Sequence, residues 1–140
     1  MSRFLKTALC VLVVMAMTAN RGEALAQEGA LVVRVAEIEV DARYVKEYAE
    51  ALTEEADASV RLEPGVIAIF PMHQKQEPTL IRILEIYADR AAYDSHLMSP
   101  HFLKYKATTL KMVKSLKLVE MQALDTNAMT QVFAKLVHAR

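Results

Sequence analysis

Between Leu31 and Leu124 the apolar residues alternate between a period of two and a period near 3.6, in the order β-α-β-β-α-β. Residues 31–40, LVVRVAEIEV, are rich in β-branched side chains and read as a strand. One face of that strand carries Val33, Val35, Glu37 and Glu39. The other carries Val32, Arg34, Ala36, Ile38 and Val40 and is nearly all apolar, so it should pack on helices. Asp41 suits an N-cap. Val45, Tyr48, Ala49, Leu52, Ala56, Ser59 and Val60 then recur at helical spacing, with Glu47, Glu50, Glu54, Glu55 and Asp57 mainly between them. Pro64-Gly65 stops this helix.

Val66 to Gln74 is a second strand, with Pro71 marking an edge or a bulge. A polar loop over residues 75–79 suits a hairpin into a third strand, Leu80 to Ala88. Arg82 and Glu85 interrupt that strand on opposite faces. Asp89 caps a helix over 90–97. Ser99-Pro100 restarts helix, with Ser as N-cap and Pro at the first helical position. Ser115 to Leu124 is the fourth strand. In the tail, 125–140, Met129, Val132, Phe133, Leu136 and Val137 are spaced for one more amphipathic helix.

This order predicts an α+β, ferredoxin-like domain: an antiparallel four-stranded sheet with its helices on one face. The other face would be bare and would carry Val33, Val35, Leu116 and Leu118. An apolar face of that size should not stay in water. The expectation is a homodimer that closes two sheets against each other.

Residues 1–26 precede this pattern and read as a signal peptide. Arg3 and Lys6 are the basic start, Thr7 to Ala19 is an uncharged apolar run, and Ala24-Leu25-Ala26 has the small residues of a cleavage site before Gln27. The apolar run is short for a membrane span. Cleavage would leave a domain over 27–124 and the tail over 125–140. It leaves 14 basic and 16 acidic residues, a net charge of 14 − 16 = −2 with histidine neutral, and removes the single cysteine, Cys10. The expected mature protein is exported, periplasmic or secreted, with no disulfide, no thiolate nucleophile and no cysteine metal site. Near-balanced charge argues against a nucleic-acid partner, and no other stretch is long and apolar enough for a span.

Chemistry-bearing side chains concentrate in residues 85–102, EIYADRAAYDSHLMSPHF. His101 follows Pro100 and so falls in the first turn of a helix. There the helix dipole favours a neutral imidazole, which can accept a phenolic proton. The competing reading is a histidine that caps local structure beside Phe102. His96 lies close to the same break. The pair is not the i, i+4 arrangement of a zinc helix and no third ligand is evident, so no metal is expected. Tyr87, Tyr93, Phe102 and Tyr105 could wall a flat aromatic substrate or simply pack the core. Arg82 and Glu85 are charges in an apolar strand and need partners. Either they form ion pairs across strands or subunits, or Arg82 stabilises a phenolate or enolate. His73, next to the hairpin, and His138, in the tail, read as surface residues.

Several of these segments together resemble the antibiotic biosynthesis monooxygenase family, to which quinol monooxygenases are assigned. The resemblance covers roughly Leu31 to Leu124. It is carried by Glu63-Pro64-Gly65-Val66, by Glu85-Ile86-Tyr87 with Ala88-Asp89, and by Tyr93, His96-Leu97 and Ser99-Pro100-His101-Phe102. It implies a dimeric α+β barrel with a small-molecule pocket between sheet and helices. It also implies oxidation of phenols, anthrones or quinols with O₂, often with no cofactor. A related branch degrades haem with an Asn, a Trp and a His; this chain has no Trp and no Asn between Asn20 and Asn127, which disfavours that activity. On this reading His101, His96 and Arg82 are catalytic, and Tyr87, Tyr93, Phe102, Tyr105 and Glu85 bind the substrate. The rival is a non-catalytic exported module that binds a quinone- or haem-like ligand; a structural dimer without a ligand is the third reading.

Overall fold

A computed structural model describes residues 30–138. The expected signal peptide over 1–26 and its cleavage site lie outside the described residues. Strand β1 (Val32–Val40) leads through a 3-10 turn (Ala42–Tyr44) into α1 (Val45–Leu62). The hairpin β2 (Val66–His73) and β3 (Leu80–Tyr87) follows, then α2 (Arg90–His96) and α3 (Pro100–Thr109). A second 3-10 turn (Leu110–Met112) enters β4 (Val113–Met121), and α4 (Asn127–His138) ends the described chain. The sheet order is β2-β3-β1-β4 with every neighbouring pair antiparallel, which is the ferredoxin-like arrangement. No described helix is long and apolar enough to cross a membrane.

Local chemistry explains the boundaries. The Asp41 side chain accepts from the Arg43 backbone N–H at 2.9 Å, so it caps the 3-10 turn rather than α1 itself. Asp89 caps α2 by accepting from the Ala92 N–H at 2.7 Å. Ser99 caps α3 through the Phe102 N–H at 3.3 Å, with Pro100 in the first turn. The Pro64-Gly65 turn is tied to the end of β3, where the Ala88 N–H donates to the Gly65 carbonyl at 2.9 Å. A Cβ at Gly65 would lie 2.4 Å from the Ala92 Cβ. Only glycine therefore lets α2 settle this close to the turn.

The strand register divides the sheet into two unlike faces. On the inner face, Arg34, Ala36 and Ile38 stand opposite Glu85, Ile83 and Ile81 of β3, and the helices pack over them. The core lies here: Ala36, Ile38, Val40, Ile81 and Ile83 meet Tyr48, Leu52 and Ala56 of α1. On the outer face, Val33, Val35 and Glu37 stand opposite Ile86, Leu84 and Arg82 on one side and Met121, Val119 and Lys117 on the other. β2 extends that face with Ala68, Phe70 and Met72. The expected bare apolar face is thus present, with a correction to its membership. Leu116 and Leu118 pair with Ile38 and Ala36 and belong to the inner face. Alternation within β4 could not say which side of β1 each of its residues joins; register decides that. Both leucines are nonetheless exposed, because the helices pack chiefly over the β2–β3 half of the sheet. On α4, Val132, Phe133, Leu136 and Val137 are exposed as well.

Candidate active site

Glu63 closes α1 and organises the site. Its backbone N–H donates to the Ser59 carbonyl at 3.0 Å and its carbonyl accepts from the Val66 N–H at 3.0 Å, so both sides of the residue are fixed. Its Oε1 lies 3.0 Å from Nδ1 of His96 and 2.5 Å from Nε2 of His101. One carboxylate oxygen therefore engages two imidazoles from two helices. The Ser99-Pro100 break turns α3 so that its second residue meets the same oxygen as the last residue of α2. Burial would raise the Glu63 carboxyl, but the hydrogen bonds from His101 and His96 outweigh it and hold the group below the usual carboxylate range.

Behind His96 stands a second carboxyl. Glu55 Oε1 is 3.7 Å from His96 Nε2 and accepts the Ser59 hydroxyl at 2.6 Å. Burial pushes the Glu55 carboxyl up. The side chains of Glu55 and His96 are 4% and 3% exposed, those of Glu63 and His101 15% and 17%. Acid, imidazole, acid and imidazole thus run from the core toward solvent.

An aromatic row flanks this chain of groups. Successive ring centroids are 5.2 Å apart for Tyr93 and Tyr87, 5.4 Å for Tyr87 and His96, and 4.8 Å for His96 and Phe102. The row continues at 6.3 Å to Tyr105 and 6.0 Å to Tyr48, and the hydroxyls of these last two meet at 2.5 Å. Burial pushes the Tyr105 phenol up to about 12 and moves Tyr48 and Tyr87 higher still. All three remain protonated near neutral pH; Tyr87 donates to Glu85, and one hydroxyl of the Tyr48–Tyr105 pair donates to the other. Arg34 is buried on the inner face, donates to the Tyr93 hydroxyl at 2.6 Å, pairs with Glu120 and lies 4.3 Å over the Tyr93 ring. Burial alone would weaken its charge, but the bonds to Tyr93 and Glu120 prevail and its pKa is raised. Glu85 faces Arg34 across the strands and accepts from the Tyr87 hydroxyl at 3.1 Å; burial pushes its carboxyl up.

The structure brings His96, His101, Tyr87, Tyr93, Phe102, Tyr105 and Glu85 to one side of the sheet. It does not bring Arg82 there. Arg82 has the opposite parity to Glu85, lies on the outer face opposite Glu37, and donates to the Ile81 carbonyl at 2.8 Å. The buried inner-face cation is Arg34, the one charge in the apolar row of the first strand. Glu55 and Glu63 were also missed as site residues. Glu55 sits on the buried stripe of α1 with Tyr48, Leu52 and Ser59, and that spacing was the available signal. Glu63 supplies the third metal-type donor that the sequence did not reveal.

The fold and the site together define a class: a ferredoxin-like α+β domain whose polar chemistry is enclosed between sheet and helices. The model of the antibiotic biosynthesis monooxygenase family matches residues 31–108. A protein from Bacteroides thetaiotaomicron, provisionally described as an antibiotic biosynthesis monooxygenase, is 45% identical. The match covers 69% of this chain and 91% of that one, with a TM-score of 0.68. A provisionally described monooxygenase from Lactobacillus acidophilus is 28% identical over 67% of this chain and 45% of its own, with a TM-score of 0.65. A third, from Nitrosomonas europaea and provisionally described as an antibiotic biosynthesis monooxygenase, is 22% identical over 70% and 94%, with a TM-score of 0.65; this likeness bears on the fold alone. No curated protein matches the chain. The chain belongs to the antibiotic biosynthesis monooxygenase family, and membership marks it as a monooxygenase-type enzyme.

Proposed function

We propose that this chain is an exported homodimeric monooxygenase that oxidises a small electron-rich aromatic, a quinol, phenol or anthrone, with O₂ and without a cofactor. The observation that carries the reading is the single Glu63 oxygen shared by His96 and His101 beside the aromatic row. Glu63 holds the His101 ring by Nε2, which leaves Nδ1 to take a phenolic or enolic proton. The carboxylate also stabilises the imidazolium that forms, as the acid does in a carboxylate–histidine pair. The resulting aromatic anion is electron-rich enough to pass an electron to O₂, and recombination forms a C–O bond. For an anthrone methylene the balance is R₂CH₂ + O₂ → R₂C=O + H₂O. Arg34 is the inner-face cation suited to an anionic oxygen, and the protonated tyrosines are suited to donate to it.

Pairing of two outer faces gives the homodimer, and the mature chain runs from Gln27 with its domain over 27–124 and its tail over 125–140. The experiment is O₂ uptake by the mature chain with a panel of quinols and anthrones, beside ligand binding on the same panel. Uptake that falls in both His101→Ala and His96→Ala supports the base. Unchanged uptake in both variants refutes it. Binding without uptake by the wild type favours the non-catalytic module.

A further inference from the structure

We propose that Glu63, His96 and His101 also bind a divalent first-row transition-metal ion of the zinc type, and that an ion bound there removes the base from the active site. Two imidazole nitrogens and one carboxylate oxygen form a donor set that zinc and its neighbours accept. Here the three donor atoms all lie within 4.8 Å of one another. Both rings already aim a nitrogen at the same oxygen, at 3.0 and 2.5 Å. A tetrahedral ion with bonds near 2.0–2.2 Å spaces its donors by about 3.4 Å. The carboxylate oxygen must withdraw by about 0.5–1 Å, and the two ring nitrogens, within 4.8 Å of each other, must settle at about the same spacing.

A second observation points the same way. A metal-bound histidine usually gives its other N–H to a carboxylate, which fixes the tautomer. His96 offers Nδ1 to the cluster and turns Nε2 toward Glu55, 3.7 Å away, and Glu55 is held in turn by the Ser59 hydroxyl at 2.6 Å. A carboxylate therefore stands behind the innermost ligand, and a small approach would bring it to hydrogen-bond distance of Nε2. On the other side, Glu63 and His101 are partly exposed, which leaves a path for the ion and an outer position for water.

Binding and base function exclude each other by proton bookkeeping. With the ion on Nε2 of His101, the neutral ring keeps its proton on Nδ1 and has no lone pair there to accept another. On His96 the proton moves from Nδ1 to Nε2, facing Glu55. Both rings bind as neutral imidazoles after a tautomer exchange, with no other reactant needed.

The test is a Co²⁺ titration of the full mature chain followed by its d–d absorption, with Zn²⁺ calorimetry in parallel. The expected result is one ion per chain, saturating in the micromolar range. Glu63→Gln and His101→Ala should weaken it at least about tenfold, and Glu55→Gln by a smaller factor, while His73→Ala leaves it unchanged. His101→Ala lies at the partly exposed start of α3 and is the variant least able to disturb folding. O₂ uptake should fall in step with occupancy and return with EDTA. Absence of saturation below millimolar Co²⁺, or equal affinity in Glu63→Gln and His101→Ala, overturns the site. Uptake that requires the ion overturns its inhibitory role. That role rests on the proposed base, whereas the Co²⁺ spectrum does not. A chain that takes one Co²⁺ but consumes no O₂ with any substrate upholds the site and refutes the proposed function.

Discussion

The two faces of this one sheet invert the usual distribution of residues. The inner face, enclosed by helices, carries Arg34, Glu85 and Tyr87 toward one end of its strands, with Glu55, His96, Tyr48 and Tyr93 on the helices that cover it. The outer face is less covered: Ile86 and Ala68 are buried, but Val33, Val35, Leu84 and Val119 are only half-buried, with Phe70 59% and Met121 49% exposed. A core built for stability alone would not enclose so many ionisable groups, since each must be paired to offset its desolvation. A surface built for water would not gather so many apolar side chains in one patch. The contrast fits chemistry on the inside and the proposed homodimer contact on the outside, and strand alternation delivers both faces from neighbouring residues.

The strongest break on the inner side is His101→Ala. It should lower the turnover of O₂ uptake by about 10²–10⁴, or about 3–5 kcal/mol of barrier, without changing the dimer mass. The matching break on the outer side is Leu84→Glu, which places an unpaired charge in the middle of the apolar patch. Sedimentation should show the dimer constant weakened at least about a hundredfold, roughly 3 kcal/mol. Gly65→Ala tests the joint that holds α2 over Glu63. The added Cβ meets Ala92, so urea unfolding should show a loss of about 1–3 kcal/mol.

Glu85→Gln sharpens the comparison by its sign. Burial raises the folded-state pKa of Glu85, so its contribution to stability is present below the unfolded carboxyl range near about 4.3 and is lost as pH rises through the raised value. The glutamine resembles the protonated acid at every pH. The variant should therefore melt higher than wild type at pH 8, and the gain should vanish in acid. Lys104→Ala gives the baseline. Lys104 and Glu54 are 2.6 Å apart but exposed, and thermal melting should register no measurable change.

Much of this arrangement was legible in the sequence. The switch between periods places β1, the end of α1, the hairpin and the Ser99-Pro100 restart within a residue or two, because Asp89, Ser99 and Gly65 supply local boundaries that need no tertiary information; Asp41 marks the 3-10 turn that precedes α1. The first strand also showed which of its rows would meet the helices. Facts that depend on register were not legible. Alternation alone puts Leu116 and Leu118 on the bare face, because parity inside β4 carries no link to β1. Arg34 stands in the row of β1 that the pattern already turns toward the helices, whereas Arg82 interrupts a strand apolar on both faces, and only pairing tells which of that strand's rows is inside. Glu63 could be noticed in its Pro-Gly motif, yet its convergence with two imidazoles 33 and 38 residues away is a property of the folded chain.

The two arginines therefore test the division of labour most directly. The initial O₂-uptake rate of Arg34→Met should be compared with that of Arg82→Met, at a concentration where both are dimers. Arg34→Met should lose most of the rate, and Arg82→Met should turn over like the wild type. A slow Arg82→Met beside an unimpaired Arg34→Met would put the chemistry on the wrong face of the sheet and contradict the account.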